Sequence, residues 1–277
     1  MSVPATTVST IAADGVEVFY RAAGDPAAPV VLLLHGFPTS SHQYRHLIPA
    51  LARKYRVIAP DFPGFGFTVV PAARKYAYTF DSLARTLEAF TRALELRKFA
   101  LYIFDYGAPT GLRLALARPD AITAIISQNG NAFEEGFGAF WDLIKPYWKD
   151  PSPAVRASMH WLASPETTKS QYTGGEADPA AIPPEAYTLD QALLERPGNA
   201  ALQLDLILDY RSNVPLYPAF QAYLRARHPP VLAVWGKNDA IFVPAGAEAF
   251  KRVVKDAQNH LEEVVGVILE FLGRNGV

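Results

Sequence analysis

The sequence predicts an α/β fold with a mostly parallel, doubly wound sheet. Short apolar runs rich in Val, Ile and Leu recur along the chain, and segments with helical spacing lie between them. Continuous apolar runs of this length suit strands that are buried on both faces of a parallel sheet. Strands that alternate with helices predict right-handed crossovers and one layered core. The predicted strand segments are residues 30–36, 56–61, 99–105, 121–127 and 231–236.

Two helices follow from apolar spacing. Residues 80–96 carry apolar side chains at intervals of three and four, and Thr79 or Asp81 is suited to cap the start. A second helix is predicted over 111–120, where Pro119 ends it. The apolar positions of the first helix are Leu83, Leu87, Phe90 and Leu94.

The strand and helix alternation breaks between about residues 130 and 220. This stretch has no strand-like run and is rich in tryptophan, proline and tyrosine. The sequence therefore predicts a core made of residues 1–132 and 221–277, with residues 133–220 inserted as a mainly helical cap. A surface insertion without a role in chemistry is the alternative.

Composition excludes several classes of function. The chain has 277 residues, a formal net charge of −1 and no cysteine, which rules out disulfides and thiolate metal sites. No basic block favours nucleic acid as a partner, and no apolar run or leader-like N-terminus indicates a membrane or a secretory route. We expect a cytoplasmic protein without a metal or a cofactor; a homodimer is left open.

The segment LYIFDYG, residues 101–107, places a carboxylate where a strand ends and a helix begins. Glycine at position 107 would relieve crowding in a tight turn between the two. A nucleophile on such a turn is held at the carboxyl edge of the sheet. Asp105 is therefore the candidate nucleophile, and helix capping is its alternative role.

The segment HGFP, residues 35–38, directly follows the first long apolar strand. Phe37 thus offers a backbone N–H at the end of a strand, as Tyr106 does, and in the family that the chain resembles these are the two donors that stabilise an oxyanion.

Four segments carry a resemblance to a known family: HGFP, APDFPGFGFT (59–68), FDYG and VWGKND (234–239). With them the chain resembles the α/β-hydrolase superfamily, and within it the branch of epoxide hydrolases and haloalkane dehalogenases that use an aspartate nucleophile. The resemblance implies the α/β-hydrolase fold. It also implies that Asp105 attacks an sp³ carbon and forms an ester, which a histidine-activated water then hydrolyses.

The resemblance places the acid that supports this histidine after a late strand, where Asp239 lies. The alternative position, after residues 121–127, offers only the uncharged side chains of Gln128, Asn129 and Asn131. A turn-forming role in Lys-Asn-Asp is the other interpretation of Asp239.

The position of the catalytic histidine departs from the family pattern. His260 is the sole histidine after Asp239, and we expect it at the start of the last helix. Because a core strand takes about five residues, residues 256–259 leave too little chain for a strand and a loop. The sequence thus predicts that the last strand and the catalytic-histidine loop are missing. Either His260 replaces the usual base, or the base is lost, or a segment is absent from the chain.

The other histidines form no recognised site. His42 and His46 have the spacing of a metal pair, but they lack the remaining ligands of such a site.

The choice between the two reactions depends on hydrogen-bond donors. Phe37 and Tyr106 occupy the places where dehalogenases carry halide donors, and a phenylalanine ring cannot donate. The segment LDYRSN (208–213) resembles the epoxide hydrolase cap motif and makes Tyr210 the candidate acid. Tyr147 or Tyr172 is a second tyrosine candidate. The predicted substrate contacts are Phe37, Tyr106, Trp141, Tyr147 and Tyr172.

Two further features bear on the substrate. Ile103, two residues before the nucleophile, is more typical of dehalogenases, whereas epoxide hydrolases have glycine there. The arginine pair with which fluoroacetate dehalogenases bind a carboxylate is reduced to Arg113. The sequence predicts an epoxide hydrolase-like enzyme for a small apolar substrate; the alternatives are a haloalkane dehalogenase and a ligand-binding relative without turnover.

Overall fold

The computed structural model describes residues 4–254, 257–260 and 264–277. Within these residues the centre of the molecule is an eight-stranded sheet in the order β1-β2-β4-β3-β5-β6-β7-β8. The pairs β1·β2 and β2·β4 are antiparallel, and the remaining neighbours are parallel. The predicted α/β class with a mostly parallel sheet is confirmed.

The strands are β1 Thr7–Ala13, β2 Val16–Ala23, β3 Val30–Leu34, β4 Arg56–Pro60, β5 Phe99–Phe104, β6 Ile122–Gln128, β7 Val231–Val234 and β8 Gln258–His260. The helices are α1 Leu47–Leu51, α2 Phe80–Ala93, α3 Gly107–Ala117, α4 Phe140–Lys149, α5 Pro153–Ser158, α6 Pro165–Thr173, α7 Pro184–Leu194, α8 Asn199–Asp209, α9 Tyr217–Arg227, α10 Ala245–Phe250 and α11 Val264–Arg274. Short 3₁₀ turns span Ser41–Tyr44, Ala72–Arg74, Pro119–Ala121, Glu134–Gly136, His160–Ala163, Pro179–Ala181, Tyr210–Ser212 and Val214–Leu216.

Both faces of the sheet are buried. Leu32 and Leu34 of β3 pack on one side with residues of α2 and α3. Val31 and Leu33 pack on the other side with residues of α1 and α11. Successive side chains of a strand point to opposite faces, so a run that is buried on both faces must be continuously apolar.

Helix α2 begins as its sequence predicts. Thr79 is the N-cap residue, and its side-chain oxygen accepts a 3.2 Å hydrogen bond from the backbone N–H of Ser82. Asp81, the other capping candidate, instead accepts a 2.7 Å bond from Arg113 of α3. The two central helices on this face are therefore joined by an ion pair as well as by packing.

The hairpin of β1 and β2 was not predicted, although the sequence carries its signal. Asp14 and Gly15 connect the strands with φ angles of 53° and 70°. Two central residues with positive φ define the type I′ turn, for which Asp-Gly is a preferred pair. The dipeptide and the alternating residues around it were sufficient to find this hairpin.

The predicted absence of the last strand is wrong. Strand β8 pairs in parallel with β7 and matches Val234 with His260, so this histidine ends a strand rather than starting the last helix. Three residues are enough for this pairing, whereas the prediction required a strand of average length. The predicted absence of a histidine loop concerns residues 261–263, which lie outside the described residues.

The described elements between β6 and β7 are all helical. They reach the core through polar bonds as well as apolar packing: Arg196 donates to the Gly66 carbonyl at 2.7 Å, and Gln203 donates to the Gly64 carbonyl at 3.1 Å. We refer to residues 133–220 as the helical segment. None of the described helices has the length and apolar character that crossing a membrane requires.

Candidate active site

Asp105 lies on a strained turn between β5 and α3. Its φ is 46°, in the left-handed region that residues other than glycine seldom adopt. Gly107 follows so closely on β3 that a Cβ there would lie 2.2 Å from the Leu34 carbonyl oxygen. Strain of this kind persists where the surrounding structure enforces it, as at functional sites.

Two backbone N–H groups hold one oxygen of this carboxylate. Oδ1 of Asp105 accepts from Phe37 N at 2.8 Å and from Tyr106 N at 2.6 Å. These are the two N–H groups that the sequence analysis assigns to oxyanion stabilisation. Among the described residues no hydrogen bond engages Oδ2, so this oxygen is available to attack.

The surroundings of Asp105 disfavour its charge. The small part of its surface that is exposed faces a cavity rather than bulk solvent. Burial raises the pKa of Asp105 to about 7, with a further rise from the charge of Asp239, while the two backbone bonds act in the opposite direction. A poorly hydrated carboxylate near its pKa is a stronger nucleophile than one in water.

Gly36 allows this close approach of β3 to the carboxylate. A Cβ at position 36 would lie 2.3 Å from both Cβ and Oδ1 of Asp105. The HGFP segment therefore requires glycine for packing as well as Phe37 for its N–H.

Asp239 lies in the loop after β7, beside the residue that follows β6. Its Oδ1 accepts from the backbone N–H groups of Ile241 at 2.7 Å and Phe242 at 3.0 Å. Its Oδ2 accepts from the side-chain amide of Asn129. Burial raises the pKa of Asp239, against these three hydrogen bonds. The two positions that the sequence analysis weighed as alternatives are thus in direct contact.

His260 ends the edge strand β8, three strands away from β5, which Asp105 follows. Phe104, Gln128, Val234 and His260 form one row across β5, β6, β7 and β8. At about 4.8 Å per strand spacing, the row separates the backbones of Phe104 and His260 by about 14 Å. The backbone thus brings His260 to the carboxyl edge of the sheet but not next to Asp105.

A narrow cavity opens onto Asp105. The space that the centre of a water molecule can reach is about 20 Å³, little more than one water needs. Its walls are aromatic and aliphatic apart from the carboxylate, one tyrosine and two glutamines. The lining residues are Phe37, Asp105, Tyr106, Phe140, Trp141, Leu162, Gln171, Gln203, Ile207 and Ile241.

Tyr210 lies behind this lining. Its ring is 5.9 Å from that of Tyr106 and 4.4 Å from that of Trp141, measured between centroids. The side chain is fully buried, and burial raises its pKa, with Tyr217 nearby adding to the rise. The Tyr217 hydroxyl lies close enough to interact with the Tyr210 hydroxyl, and no other described atom is its hydrogen-bond partner.

The other two tyrosine candidates are engaged elsewhere. The Tyr147 hydroxyl accepts a 2.8 Å bond from Arg156, and the Tyr172 hydroxyl donates to Asp190. Neither residue lines the cavity. Of the five predicted substrate contacts, the structure brings Phe37, Tyr106 and Trp141 to the cavity and leaves these two away from it.

Trp141 lines the cavity, but its N–H group is already used. The indole Nε1 donates to the Ile241 carbonyl at 3.0 Å. The tryptophan therefore presents ring surface rather than a donor to the cavity. This limits the groups that could bind a departing halide.

Arg113 links the 3₁₀ turn Tyr210–Ser212 and the residue after it to helix α2 of the core. Its guanidinium donates to Asn213 Oδ1 at 2.6 Å and to Asp81 at 2.7 Å, and its side chain is 7% exposed. Asn213 in turn donates its backbone N–H to the Tyr210 carbonyl at 2.9 Å. From its position in the sequence Arg113 is predicted only as the remnant of a carboxylate clamp, and no local pattern indicates this role.

Gln171 and Gln203 were also missed. Gln203 and Ile207 are four residues apart, so the sequence places them on one face of a helix, but nothing in it says that this face meets Asp105. Among the described residues, no group of three His, Asp or Glu side chains could hold a metal ion.

Residues 29–266 match the family described as the alpha/beta hydrolase fold. The chain belongs to the α/β-hydrolase family. An uncharacterised hydrolase of Saccharomyces cerevisiae is 50% identical to this hydrolase over 246 residues, which are 87% of this chain and 84% of the relative. A haloalkane dehalogenase of Bradyrhizobium diazoefficiens is 35% identical in an alignment of 268 positions, which covers 85% of this chain and 80% of the relative.

Solved structures agree with the fold of this α/β-hydrolase. The haloalkane dehalogenase DbeA of Bradyrhizobium elkani superposes with a TM-score of 0.79 and 21% identity, covering 98% of this chain and 100% of that one. A proposed epoxide hydrolase of Pseudomonas aeruginosa superposes with a TM-score of 0.78 and 19% identity, covering 99% of this chain and 97% of that one. At these identities the likeness extends to the fold alone.

Proposed function

We propose that this α/β-hydrolase opens an epoxide through an ester formed on Asp105. One observation carries the proposal: Asp105 Oδ1 is held by two backbone N–H groups, while Oδ2 has no hydrogen bond among the described residues and the carboxylate borders an apolar cavity. A carboxylate that is oriented and poorly hydrated is suited to attack an sp³ carbon.

In the first step Oδ2 attacks a ring carbon of the epoxide. The C–O bond of the ring breaks, and its electron pair goes to the ring oxygen. Tyr210 supplies the proton that this oxygen takes up. The ring of Tyr210 packs against those of Tyr106 and Trp141, which line the cavity, so we expect a shift of these two rings that admits a substrate to expose Tyr210 as well.

In the second step water attacks the ester carbonyl of Asp105. A base takes the proton of the water, and the negative charge that develops on the carbonyl oxygen is stabilised by the N–H groups of Phe37 and Tyr106. The intermediate collapses, the base returns its proton to the departing alkoxide, and the diol leaves. The second proton of the water goes back to the Tyr210 oxygen, and the carboxylate is restored with one oxygen from water. Asp239, held by Asn129, is the acid proposed to support the base.

Haloalkane dehalogenation is the second candidate. It is favoured by Ile103 before the nucleophile and by a relative with 35% identity that carries this name. Against it stand the ring of Phe37, which has no donor, and the Trp141 N–H, which is bound to a carbonyl. A haloalkane has no oxygen to protonate, so its reaction does not need Tyr210.

Intact-protein mass spectrometry after incubation with a terminal epoxide tests the first step. We expect a one-to-one adduct, which peptide mapping locates on Asp105 and which Asp105→Asn abolishes. In ¹⁸O-water, release of the product should leave label in the peptide that contains Asp105. An adduct that persists in Asp105→Asn would contradict the proposal.

Tyr210→Phe separates the two candidate reactions. Loss of the general acid should slow adduct formation with the epoxide by about 10²-fold or more and leave a haloalkane of the same chain length unaffected. Tyr223→Phe is a matched control, since Tyr223 is also buried and its hydroxyl has no partner among the described residues. Reaction with haloalkanes alone would favour the dehalogenase.

A further inference from the structure

One residue that lines the cavity beside Asp105 carries a buried acceptor that the reaction does not use. Gln203 of α8 lines the cavity and is 2% exposed. Its Oε1 is buried and has no hydrogen-bond partner among the described residues. Most buried polar side-chain atoms are paired, and an unpaired acceptor of this kind is costly.

The orientation of the amide follows from its other contact. The side-chain nitrogen of Gln203 donates to the carbonyl oxygen of Gly64 at 3.1 Å. A backbone carbonyl can only accept, so the NH₂ group must face Gly64, and Oε1 is left as the free end. Exchanging the two ends would set two acceptors against each other.

The position of Gln203 on its helix directs it toward the reacting group. Ile207 is four residues further along α8 and lines the same cavity, so both side chains lie on the face of the helix that meets Asp105. The rest of the wall is mostly aromatic and aliphatic. A small number of fixed polar groups in such a wall determine orientation and specificity, and Gln203 is one of them.

We propose that Gln203 selects substrates that carry a neutral hydrogen-bond donor, a hydroxyl or an amide N–H, in addition to the electrophilic carbon. The inference rests on the proposed function because it takes the Asp105 cavity as the substrate site. A donor on the substrate pairs Oε1, whereas an apolar analogue leaves it unpaired. The expected substrate is therefore less apolar than the sequence predicts.

Binding of unreactive ligands tests this selection without any chemical step. Hexanamide and methyl pentyl ketone have the same shape, and both present a carbonyl, but only the amide carries N–H donors. Trp141 lines the cavity, so tryptophan fluorescence should report occupancy. We expect the wild-type protein to bind the amide about tenfold or more tightly than the ketone.

Gln203→Met keeps the length of the side chain and removes the acceptor. We expect the preference to fall to about one in this variant. Gln221→Met is the matched control, because Gln221 of α9 also donates to a backbone carbonyl, that of Ala132 at 3.1 Å, but does not line the cavity. It should retain the wild-type preference, and equal melting temperatures would exclude unfolding as the cause of a loss.

A second pair, hexanol and hexyl fluoride, distinguishes a hydroxyl from an amide as the natural donor. A preference for the donor in either pair that Gln203→Met removes supports the proposal. Equal affinities within both pairs, or an unchanged preference in Gln203→Met, would overturn it. Failure to form an adduct on Asp105 would instead count against the proposed function, because these ligands need no reaction.

Discussion

The side-chain amide of Asn129 donates a hydrogen bond to Oδ2 of Asp239, so the residue that follows β6 orients the carboxylate that follows β7. Asn129 has a φ of 48°, which asparagine and aspartate tolerate better than other residues with a side chain. Its Oδ1 accepts from the Gly236 N–H at 3.2 Å. The side-chain amide of Asn129 therefore links the segments that follow β6 and β7 at this edge of the sheet.

Asn129→Asp should destabilise the protein at neutral pH by about 1–3 kcal/mol, since it replaces a donor with a second buried carboxylate. Two adjacent carboxylates raise each other's pKa in the folded state. The loss of stability in Asn129→Asp is therefore present above the pKa that the carboxylates have in the unfolded chain. It should vanish as the pH falls below about 4. Chemical denaturation across pH measures it, and the exchanged pair Asn129→Asp with Asp239→Asn should recover most of the loss. A deficit that persists in acid would contradict this account.

Asp105→Asn should stabilise the protein. Because burial raises the folded pKa of Asp105 from 3.8 to about 7, the charged carboxylate costs stability above its unfolded pKa. The cost is absent below about pH 4, grows to about pH 7 and is constant beyond. We expect a gain of roughly 2–3 kcal/mol at pH 8, discounted from the full shift because Asp105 keeps some exposure. The rate of adduct formation in the wild type should rise over the same window, and a rate that is flat between pH 5 and 8 would contradict the raised pKa.

Gly36→Ala should displace the nucleophile. The added Cβ would lie 2.3 Å from Asp105 Oδ1, so either β3 or the carboxylate must move, at a cost of about 1–3 kcal/mol. We expect loss of the adduct together with a lower melting temperature. Gly266→Ala is the control: a Cβ there meets no described atom within 4 Å, and alanine in a helix should add about 0.5–1 kcal/mol. Normal alkylation by Gly36→Ala would show that the contact is not restrictive.

Arg113→Met should lower the free energy of unfolding by about 2 kcal/mol, because it leaves Oδ1 of the buried Asn213 without its donor. It should also slow epoxide opening more than reaction with a haloalkane, since Arg113 and Asn213 hold the turn that carries Tyr210. Arg92→Met removes an exposed ion pair with Glu88 and should change stability by less than about 0.5 kcal/mol. If Arg113→Met slowed the reactions with the epoxide and the haloalkane equally, Arg113 would stabilise the fold without positioning Tyr210.

The ester on Asp105 should persist in the wild-type protein. The row of paired residues separates the backbones of His260 and Phe104 by about 14 Å, so we expect the second step, which needs a base beside the ester, to be much slower than the first. Mass spectrometry over several hours should detect a lasting adduct, with turnover far below one per minute, and His260→Gln should leave its decay unchanged. Sustained turnover that is lost in His260→Gln would identify this histidine as the base. Sustained turnover that survives the substitution would require a base elsewhere.

Much of the architecture follows from local patterns. The runs that form β3 to β7 are continuously apolar because both faces of the sheet are covered, and this leaves a signature within each run. The turn at Asp105 is similarly visible, since the carboxylate, Tyr106 and Gly107 are adjacent in the chain. Even the missed hairpin at Asp14 and Gly15 carried a readable signal. Strand β8 did not, because three residues gain their structure from pairing with β7 rather than from their own sequence.

The composition and local order of residues determined the class of fold and the identity of the candidate nucleophile. Only the tertiary structure decided which groups surround it. The bond from Phe37 to Asp105 joins residues 68 positions apart, that from Asn129 to Asp239 joins residues 110 apart, and that from Gln203 to Gly64 joins residues 139 apart. Contacts over such separations depend on how the helical segment and the sheet pack together, and no local pattern records that packing. The free oxygen of Asp105, the buried hydroxyl of Tyr210 and the unpaired acceptor of Gln203 are all consequences of it.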